Sequence, residues 1–281
     1  MILMQLKGGF GNQLFQFACG YALSKEKECG LGIDLTYFQT WPVYKLNYTM
    51  IKNYSEFNPR LYKGIVGKIA NPIIKKYKII GDRTVFNFDK DSTIYNSDIQ
   101  NCTDDCYLTG YFQNERYFMK YRKDIVSMFQ PNYELDDSEE RLFRDVNGVN
   151  SVAIHVRRGD YVGIGFSIDM EYYHKAIERA KLLIENPVFY VFSDDLDFCR
   201  DFFSKYEDLK IVYVDSLVRK STQDVSEFFG MSKCKHQIIA NSTFSWWAAW
   251  LNNNPNRVVI APEIGVWKGD FYPKDWITIK A

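Results

Sequence analysis

The chain has 281 residues, which is enough for one large domain or two of ordinary size, and we expect two. Hydrophobic residues make up 46% of it, and 35 basic side chains balance 35 acidic ones. A chain without net charge lacks the overall field that attracts nucleic acid or membrane surfaces, so its ligands must be held by local charge.

The sequence also disfavours a metal centre and a secreted or membrane-spanning protein. The six cysteines are scattered, and the one close pair, Cys102 and Cys106, has no second pair to complete a zinc site. The three histidines include no pair spaced four residues apart. No apolar run is long enough to span a membrane, and no secretory leader is recognisable. We therefore expect reduced thiols, no metal and a cytoplasmic location.

The first element is a short apolar run from Ile2 to Leu6, which a glycine-rich stretch separates from a helical pattern beginning at Leu14. This order predicts a strand, a glycine loop and a helix. Gly8, Gly9 and Gly11 permit a close approach to the backbone at the start of the helix, where unpaired N–H groups and the helix dipole favour an anion.

The glycine loop matches the dinucleotide-binding fingerprint incompletely. Leu14 stands at the third glycine position, and Asp34 is the only candidate for an acid that would bind a ribose. These departures leave a nicotinamide-dependent oxidoreductase open as an alternative.

A long irregular region follows a second predicted strand at Leu31 to Leu35. From Thr36 to about Asp105, aromatic residues are mixed with a cluster of basic ones, namely Lys68, Lys75, Lys76 and Lys78. We interpret the cluster as solvated surface, and a membrane contact or an anionic acceptor patch is the less favoured alternative. Regular patterns return with a strand from Tyr107 to Tyr111 and a helix from about Asn114 to Phe129.

A polar stretch beginning at Pro131 and a short helix near Ser138 to Val146 mark a change in pattern. We place the domain boundary between Pro131 and Asn150, and divide the chain into residues 1–140 and 141–281. In the second half, apolar runs alternate with helical patterns, which predicts an α/β fold with a doubly wound parallel sheet. The predicted strands are Val152–Val156, Val188–Phe192, Ile211–Val214, Gln237–Ala240 and Val258–Ile260.

Strand order decides where a ligand would bind. If the five strands adopt the common order 3-2-1-4-5, the switch point lies between the first and the fourth, and ligands bind beyond their carboxyl ends. The loop after the first strand covers residues 157–160, and the loop after the fourth covers residues 241–245. The second strand ends in Ser193, Asp194 and Asp195. These three polar segments are expected to converge on one crevice.

Two adjacent arginines, Arg157 and Arg158, leave the first of these strands. Guanidinium groups stay charged and offer several donors to phosphate oxygens at once, so a pair on one loop can hold a diphosphate. The alternative is that both arginines form ordinary surface ion pairs. Their position directly after a buried strand makes this the weaker interpretation. The Arg-Gly-Asp triplet of integrin ligands is discounted because the chain has no secretory features.

The acidic run from Asp194 to Asp197 allows two interpretations. Its carboxylates could hold Mg²⁺ or Mn²⁺ under a diphosphate, or one of them could cap the helix that follows. Because the arginines could already neutralise the leaving group, we favour Asp197 as the cap. Ser193 and Asp194 are then expected to contact the nucleotide.

The segment after the fourth strand is predicted to be a loop that leads into a helix. The hydroxyls of Ser242, Thr243 and Ser245 and the first N–H groups of the helix are suited to a phosphate. Trp246 and Trp250 lie four residues apart and share a helix face. Buried packing is favoured over stacking on a base or a sugar for the tryptophans of this segment.

Four segments carry a family resemblance, namely Gly8 to Gln16, His155 to Tyr161, Ser193 to Asp195 and Asn241 to Leu251. In this order they resemble the successive motifs of glycosyltransferase family 11, the α-1,2-fucosyltransferases, in their soluble bacterial form. The resemblance extends from residue 8 to residue 251 and thus covers most of the chain.

The resemblance implies the GT-B architecture, in which two Rossmann-like domains face each other across a cleft. It implies an inverting transfer of L-fucose from GDP-β-L-fucose to the 2-hydroxyl of a terminal galactoside in a glycan, with no metal or other cofactor. Residues 141–281 would bind GDP-fucose and residues 1–140 the acceptor, whose candidate surface is the region from Thr36 to Asp105. Peripheral contact with the inner membrane face, where a lipid-linked acceptor would be carried, is left open.

The resemblance also implies roles for single residues. Arg157 contacts the departing β-phosphate, where negative charge grows as the glycosidic bond breaks. Arg158 supports it or pairs with Asp160. Asp160 or His155 takes the acceptor's proton, although a structural role suits His155 equally well. The candidates for donor binding are Gly9, Gly11, Asn12, Gln13, Ser193, Asp194, Asp195, Asn241, Ser242, Thr243 and Ser245. A nucleotide-sugar-binding protein without catalytic activity is the second alternative.

Overall fold

The computed structural model describes residues 1–35, 37–40, 78–80, 92–102, 106–215, 223–267 and 269–281. The chain divides into two compact units. Unit 1 comprises Met1–Tyr133 and Gly265–Pro273, and unit 2 comprises Glu134–Ile264 and Lys274–Ala281. The chain therefore passes from one unit to the other three times.

Unit 1 is built on a parallel sheet whose strands lie in the order β2-β1-β4-β3. The strands are β1 (Ile2–Gln5), β2 (Leu31–Asp34), β3 (Lys78–Ile80) and β4 (Cys106–Leu108). Helix α1 (Phe10–Glu26) follows β1 after the glycine loop, so the strand, loop and helix predicted for the start of the chain are confirmed. Helix α1 is buried on most sides, where Leu14 and Phe17 are fully buried together with the polar Gln13 and Gln16.

The helix predicted from Asn114 to Phe129 is correct only for its second half. Short 3-10 helices at Glu115–Tyr117 and Met119–Tyr121 precede α3 (Arg122–Met128), while α2 (Tyr37–Thr40) and a 3-10 helix at Ser97–Asn101 lie earlier in the chain. The side chain of Asn114 accepts a hydrogen bond from the backbone N–H of Arg116, and Phe118 has extended φ. Side-chain capping and this interruption break a pattern that has helical spacing.

The predicted strand at Tyr107 to Tyr111 is also shorter in the structure. Strand β4 ends at Leu108, because Gly110 has φ 156° and Phe112 has φ 51°, which turn the chain out of the extended conformation.

The segment Gly265–Pro273 is held to the rest of unit 1 by one buried amide and one carboxylate. Asn114 Nδ2 donates to the carbonyl oxygen of Thr93 at 2.8 Å and to Asp270 Oδ1 at 2.9 Å. Arg116 Nη1 lies 3.2 Å from Asp270 Oδ2. These bonds lower the pKa of Asp270 despite the opposing effect of its burial.

Unit 2 contains a fully parallel sheet with the order β10-β9-β8-β5-β6-β7. Its strands are β5 (Asn150–Val156), β6 (Pro187–Ser193), β7 (Lys210–Tyr213), β8 (His236–Ile238), β9 (Val259–Glu263) and β10 (Ile277–Lys280). The predicted order 3-2-1-4-5 is confirmed. Strand β10 was not predicted from the sequence, and it extends the sheet beside β9.

Six helices are described in unit 2, namely α4 (Asp137–Gly148), α5 (Gly159–Gly163), α6 (Met170–Leu183), α7 (Leu196–Phe203), α8 (Gln223–Lys233) and α9 (Thr243–Leu251). Helix α4 starts with a capping box formed by Asp136 and Glu139. In α9, Trp246, Trp247 and Trp250 are at most 2% exposed, so the favoured packing role of the tryptophans is confirmed.

Helix α6 supports the carboxyl edge of this sheet from one face. Its apolar side packs on Ile154 and Val156 of β5 and on Val191 of β6. The hydroxyl of Tyr173 donates to the carbonyl oxygen of His155 at 2.9 Å, and the hydroxyl of Tyr172 donates to that of Ile239 at 2.8 Å. The helix thereby satisfies one carbonyl near the end of β5 and one just after β8, next to the loops that leave the sheet.

Two further observations concern the cysteines and the membrane. Cys102 and Cys106 are joined as a disulfide, so the expectation of reduced thiols is wrong for this pair. Cys19, Cys29, Cys199 and Cys234 remain thiols. Among the described residues, no helix has the length and apolar character needed to cross a bilayer.

Candidate active site

The three polar segments predicted to converge do so at the carboxyl edge of the unit 2 sheet. Strand β5 lies between β6 and β8, so the loops that leave these strands are neighbours. The loop after β5 contacts Asp194 and Asp195 after β6, and it contacts Asn241 and Ser242 after β8.

Arg157 forms ion pairs with two carboxylates. Its Nη2 lies 2.7 Å from Asp160 Oδ1, and its Nη1 lies 2.8 Å from Asp194 Oδ2. The side chain remains 37% exposed, and its guanidinium carbon is 5.5 Å from the centre of the Tyr161 ring. Because both terminal nitrogens are held, the plane of the guanidinium is fixed while part of the charged group still faces solvent.

Arg158 is oriented by a different set of contacts. Its Nε lies 3.0 Å from Asp195 Oδ2, and its guanidinium carbon lies 3.4 Å from the centre of the Phe198 ring. Its backbone N–H donates to Asp194 Oδ1 at 2.8 Å. The structure therefore pairs Asp160 with Arg157, and the alternative pairing of Asp160 with Arg158 is wrong.

The residue that caps α7 also differs from the prediction. Asp195 is the N-cap, and its side chain accepts a hydrogen bond from the backbone N–H of Phe198 at 3.2 Å. Asp197 lies inside the first turn, because the helix begins at Leu196. The hydroxyl of Ser193 accepts from the N–H of Asp195 at 3.0 Å, so Ser193 shapes this turn as well.

Asp194 links the two arginines. One of its oxygens contacts the Arg157 side chain, and the other accepts from the Arg158 backbone. A Cβ at Gly159 would come within 2.7 Å of Asp194 Oδ2, so the glycine leaves room for this carboxylate. Within the described residues, no group of three or more His, Cys, Asp or Glu side chains is arranged to hold a metal ion.

The loop after β8 contacts the start of α9 and also residues 157–166, which we call the arginine loop. Ser242 is the N-cap of α9, and its hydroxyl accepts from the N–H of Phe244 at 3.3 Å. The hydroxyl of Ser245 donates to the carbonyl oxygen of Ser242 at 3.3 Å, and Thr243 is the first residue of the helix. The side chains of Ser242 and Tyr161 are hydrogen-bonded.

His155 lies under this edge as the last-but-one residue of β5. It is 7% exposed, and its ring centre is 5.8 Å from that of Phe244. Burial, with a smaller effect of the nearby Arg157 charge, lowers the pKa of His155 to about 4. A neutral imidazole of such low basicity is a weak proton acceptor.

The remaining donor-binding candidates belong to unit 1. Gly9 is the N-cap of α1, and Gly11 is buried in its first turn. Gln13 Nε2 donates to the carbonyl oxygen of Gly8 at 2.8 Å, which closes the loop in which Gly8 has φ 73°. Asn12 Oδ1 accepts from Gln113 Nε2 at 2.8 Å. The arginines, by contrast, belong to unit 2.

Two residues of the site were not predicted from the sequence. Phe198 and Gly159 contribute to the site through packing, and their spacing from the arginines carries no signal that would have indicated this.

Most of the predicted acceptor region, from Thr36 to Asp105, lies outside the described residues. The same holds for the side chains of its basic cluster, Lys68, Lys75, Lys76 and Lys78.

Comparison with known proteins gives three findings. Residues 1–280 match the family described as Glycosyl transferase family 11. An alpha-1,2-colitosyltransferase from Escherichia coli is 32% identical over 279 residues, which cover 93% of this chain and 91% of the relative. The galactoside 2-alpha-L-fucosyltransferase Sec1 of Mus musculus is 27% identical over 198 residues, covering 62% of this chain and 51% of that protein.

The fold resembles that of a solved enzyme, the fucosyltransferase NodZ from Bradyrhizobium. The TM-score is 0.58 at 12% identity, and the match covers 88% of this chain and 92% of that one. This likeness confirms the predicted fold class, an α/β protein of the GT-B type with two Rossmann-like domains.

Proposed function

The chain belongs to glycosyltransferase family 11, and from that premise we propose that it is an inverting α-1,2-fucosyltransferase. The proposed reaction moves L-fucose from GDP-β-L-fucose to the 2-hydroxyl of a terminal galactoside. The acceptor oxygen forms a bond to the anomeric carbon while the bond to the β-phosphate oxygen breaks. GDP leaves with that electron pair, and the acceptor's proton passes to a base.

The observation that carries this proposal is the fixed orientation of Arg157 at the switch point of the unit 2 sheet. Positive charge grows on the fucose ring during bond breaking and negative charge grows on the β-phosphate. A guanidinium that is already oriented by Asp160 and Asp194 needs little reorganisation to stabilise that phosphate. Arg158 and the N–H groups near Ser242 and Thr243 are suited to the rest of the diphosphate.

For the proton, Asp160 is the better of the two candidates. Its side chain is 64% exposed, so an acceptor hydroxyl can approach it, and it keeps an ion pair with Arg157. His155 is buried and its pKa is lowered to about 4, which favours a structural role. In a strongly dissociative transition state the base contributes little, and we expect a modest effect from its loss.

Metal independence is part of the proposal. Two guanidinium groups at one sheet edge supply the positive charge that a divalent cation supplies elsewhere under a diphosphate. Turnover that persists unchanged in excess EDTA would agree with this, and turnover that EDTA abolishes and Mg²⁺ or Mn²⁺ restores would contradict it.

A second candidate concerns the transferred sugar. The Escherichia coli relative is named for colitose, and it matches 93% of this chain. Colitose is L-fucose without its 3-hydroxyl group, so the two donors share the diphosphate contacts and differ at one ring position. The family placement, by contrast, removes the reason for considering a nicotinamide-dependent oxidoreductase.

The decisive experiment incubates pure protein with EDTA, a panel of galactosides and either GDP-fucose or GDP-colitose. GDP release and the mass of the product are measured for each pair. A fucosylated product supports the main proposal, and a product only from GDP-colitose supports the second candidate. Donor binding without GDP release on any acceptor would indicate a binding protein and overturn both.

A further inference from the structure

The side chain of Asn241 is buried at this site, and only one end of its amide has a hydrogen-bond partner among the described residues. It is 4% exposed and follows β8 at the carboxyl edge of the sheet. Its Nδ2 donates to the carbonyl oxygen of Phe166 at 2.7 Å. Because a carbonyl can only accept, this bond fixes which way the amide faces, and Oδ1 points away from Phe166.

Within the part of the chain that the structure describes, Asn241 Oδ1 accepts no hydrogen bond. Folded proteins rarely bury an oxygen without a partner, because the lost hydration is not replaced. An oxygen of this kind at the edge where a ligand binds is suited to receive a hydrogen bond from that ligand.

The chemistry of Oδ1 limits which part of a nucleotide sugar it can contact. An amide oxygen is an acceptor only, and the ionised phosphates of a nucleoside diphosphate also only accept. The partner must therefore carry an O–H or N–H group. The transferred sugar has to stay open to the acceptor, near the exposed Asp160, whereas Asn241 is buried. The nucleoside, which never leaves the site during transfer, fits the buried position better.

The amide nitrogen of Asn241 contacts the arginine loop through the carbonyl of Phe166. Phe166 ends the loop that begins at Arg157, and its N–H donates to the carbonyl oxygen of Tyr161 at 2.8 Å. Tyr161 is in turn hydrogen-bonded to Ser242 and stacked near the Arg157 guanidinium. The bond from Asn241 to Phe166 thus connects the loop after β8 to the loop that carries the arginines.

We propose that Asn241 recognises the nucleoside of the donor and positions the arginine loop with one side chain. Oδ1 accepts a hydrogen bond from the exocyclic amine of the base or from a ribose hydroxyl, and Nδ2 holds the carbonyl of Phe166. This inference rests on the proposed function, since it takes a nucleoside diphosphate as the ligand. It assigns to Asn241 a contact with the nucleoside rather than with a phosphate.

The test compares ratios of affinities, because a ratio cancels losses that come from a disturbed loop. Calorimetry measures binding of GDP, inosine 5′-diphosphate, 2′-deoxy-GDP and 3′-deoxy-GDP to the wild-type chain and to Asn241→Leu. We expect the wild type to bind GDP about tenfold more tightly than the one analogue that lacks the contacting group. In Asn241→Leu the ratio of the affinity for GDP to the affinity for that analogue should fall to about one. The analogue that shows this change identifies the nucleoside group that Asn241 contacts.

A matched control is available in the same unit. Asn252 is 3% exposed, and its Nδ2 donates at 3.0 Å to the carbonyl oxygens of Cys234 and Lys235 at the far end of α9. Asn252→Leu should lower stability and leave every affinity ratio as in the wild type. If Asn241→Leu does not fold, Asn241→Ser removes the same amide with less volume change.

The proposed positioning of the arginine loop by Asn241 is tested by Asn241→Asp. This variant keeps an oxygen for the nucleoside but places a second oxygen against the Phe166 carbonyl. We expect the affinity ratio to be kept while kcat falls about tenfold. Wild-type ratios in Asn241→Leu would overturn the inference and leave the proposed function intact. A wild-type chain that binds no guanine nucleotide would instead overturn the proposed function, and the inference with it.

Discussion

At the scale of single residues, the site is organised by carboxylates that hold arginines in place. Asp194 contacts both members of the arginine pair, and Asp160 and Asp195 each take one further guanidinium nitrogen. Such partly exposed pairs contribute little to the free energy of folding. Their consequence is geometric, because they fix where positive charge is presented to an anionic ligand.

Replacing Arg157 by alanine tests this directly. We expect Arg157→Ala to lower kcat about a hundredfold to a thousandfold, because a preorganised donor to the departing phosphate is lost. The free energy of unfolding should change by less than about 1 kcal/mol. GDP release measures the first quantity and urea unfolding the second.

Arg200 offers a matched control for Arg157. It also belongs to unit 2, pairs with Asp215 at 2.6 Å and is 44% exposed. Arg200→Ala should keep near-normal turnover. Equal turnover in the two variants would remove Arg157 from the mechanism.

His155 predicts a pH dependence of stability. Its pKa is lowered to about 4 in the folded chain, against about 6.5 when unfolded, so between these values the unfolded state binds the extra proton. The free energy of unfolding should therefore fall as the pH drops from about 6.5 to about 4, by up to about 3 kcal/mol from this group. Urea unfolding at several pH values measures the slope.

His155→Gln should flatten that slope, since the buried imidazole is gone. His236, whose pKa is also lowered by burial, leaves part of the slope in place. His174→Gln serves as the control, because His174 is exposed and hydrogen-bonded to Tyr206. An unchanged slope in His155→Gln would show that another group is responsible.

At the scale of elements, the short helix α5 (Gly159–Gly163) lies within the arginine loop and contains two glycines that differ in their surroundings. A Cβ at Gly159 would lie 2.7 Å from Asp194 Oδ2, whereas a Cβ at Gly163 would meet no atom within 4 Å. The two glycines therefore differ in what a methyl group would disturb while sharing one helix.

We expect Gly159→Ala to lower kcat/KM about tenfold or more, because Asp194 must move away from Arg157 and from the Arg158 backbone. Gly163→Ala should keep kcat/KM and raise stability by about 0.4–1 kcal/mol, since it restricts the unfolded chain. Steady-state kinetics and thermal unfolding of both variants make the comparison. Equal kinetics in the two would mean that the position of Asp194 does not matter for turnover.

The elements also show what the sequence could predict. Strands β5, β6, β7 and β9 contain apolar runs that located them to within a few residues, whereas β8, which begins with His236 and Gln237, was predicted at Gln237–Ala240. Their order is the common one of doubly wound sheets. The start of the helix predicted at Asn114 and the cap of α7 were not predicted correctly, because Asn and Asp side chains can each bond to the backbone and compete with regular structure. Which of several such residues does so depends on neighbours in space.

The pairing of Asp160 with Arg157 was unpredictable for the same reason. Both arginines lie within three residues of Asp160, and only the position of Asp194 and Asp195 after β6 decides which guanidinium goes where. The convergence of the three loops, by contrast, followed from topology alone.

At the scale of the whole molecule, we expect a guanine nucleotide to protect one edge of unit 2. Saturating GDP should slow amide hydrogen exchange in residues 157–166, 193–195 and 241–245, because bound ligand suppresses local opening. Exchange in the outer part of α6 should stay unchanged. Mass spectrometry of deuterated peptides measures both.

Hydrogen exchange in peptides from residues 8–13 tests the glycine loop of unit 1 separately. Protection there would mean that the glycine loop of unit 1 takes part in donor binding. Protection confined to surfaces away from the three loops of unit 2 would contradict the assignment of the donor site.

The return of residues 265–273 to unit 1 affects how whole units can be exchanged between relatives. Strand β10 belongs to unit 2 but follows this return, so a single crossover between two parental genes near residue 134 would leave Gly265–Pro273 with foreign contacts to Asn114 and Arg116. A working chimera has to take Glu134–Ile264 and Lys274–Ala281 from one parent and the two segments of unit 1 from the other. An exchange of whole units in this chain therefore needs three simultaneous junctions.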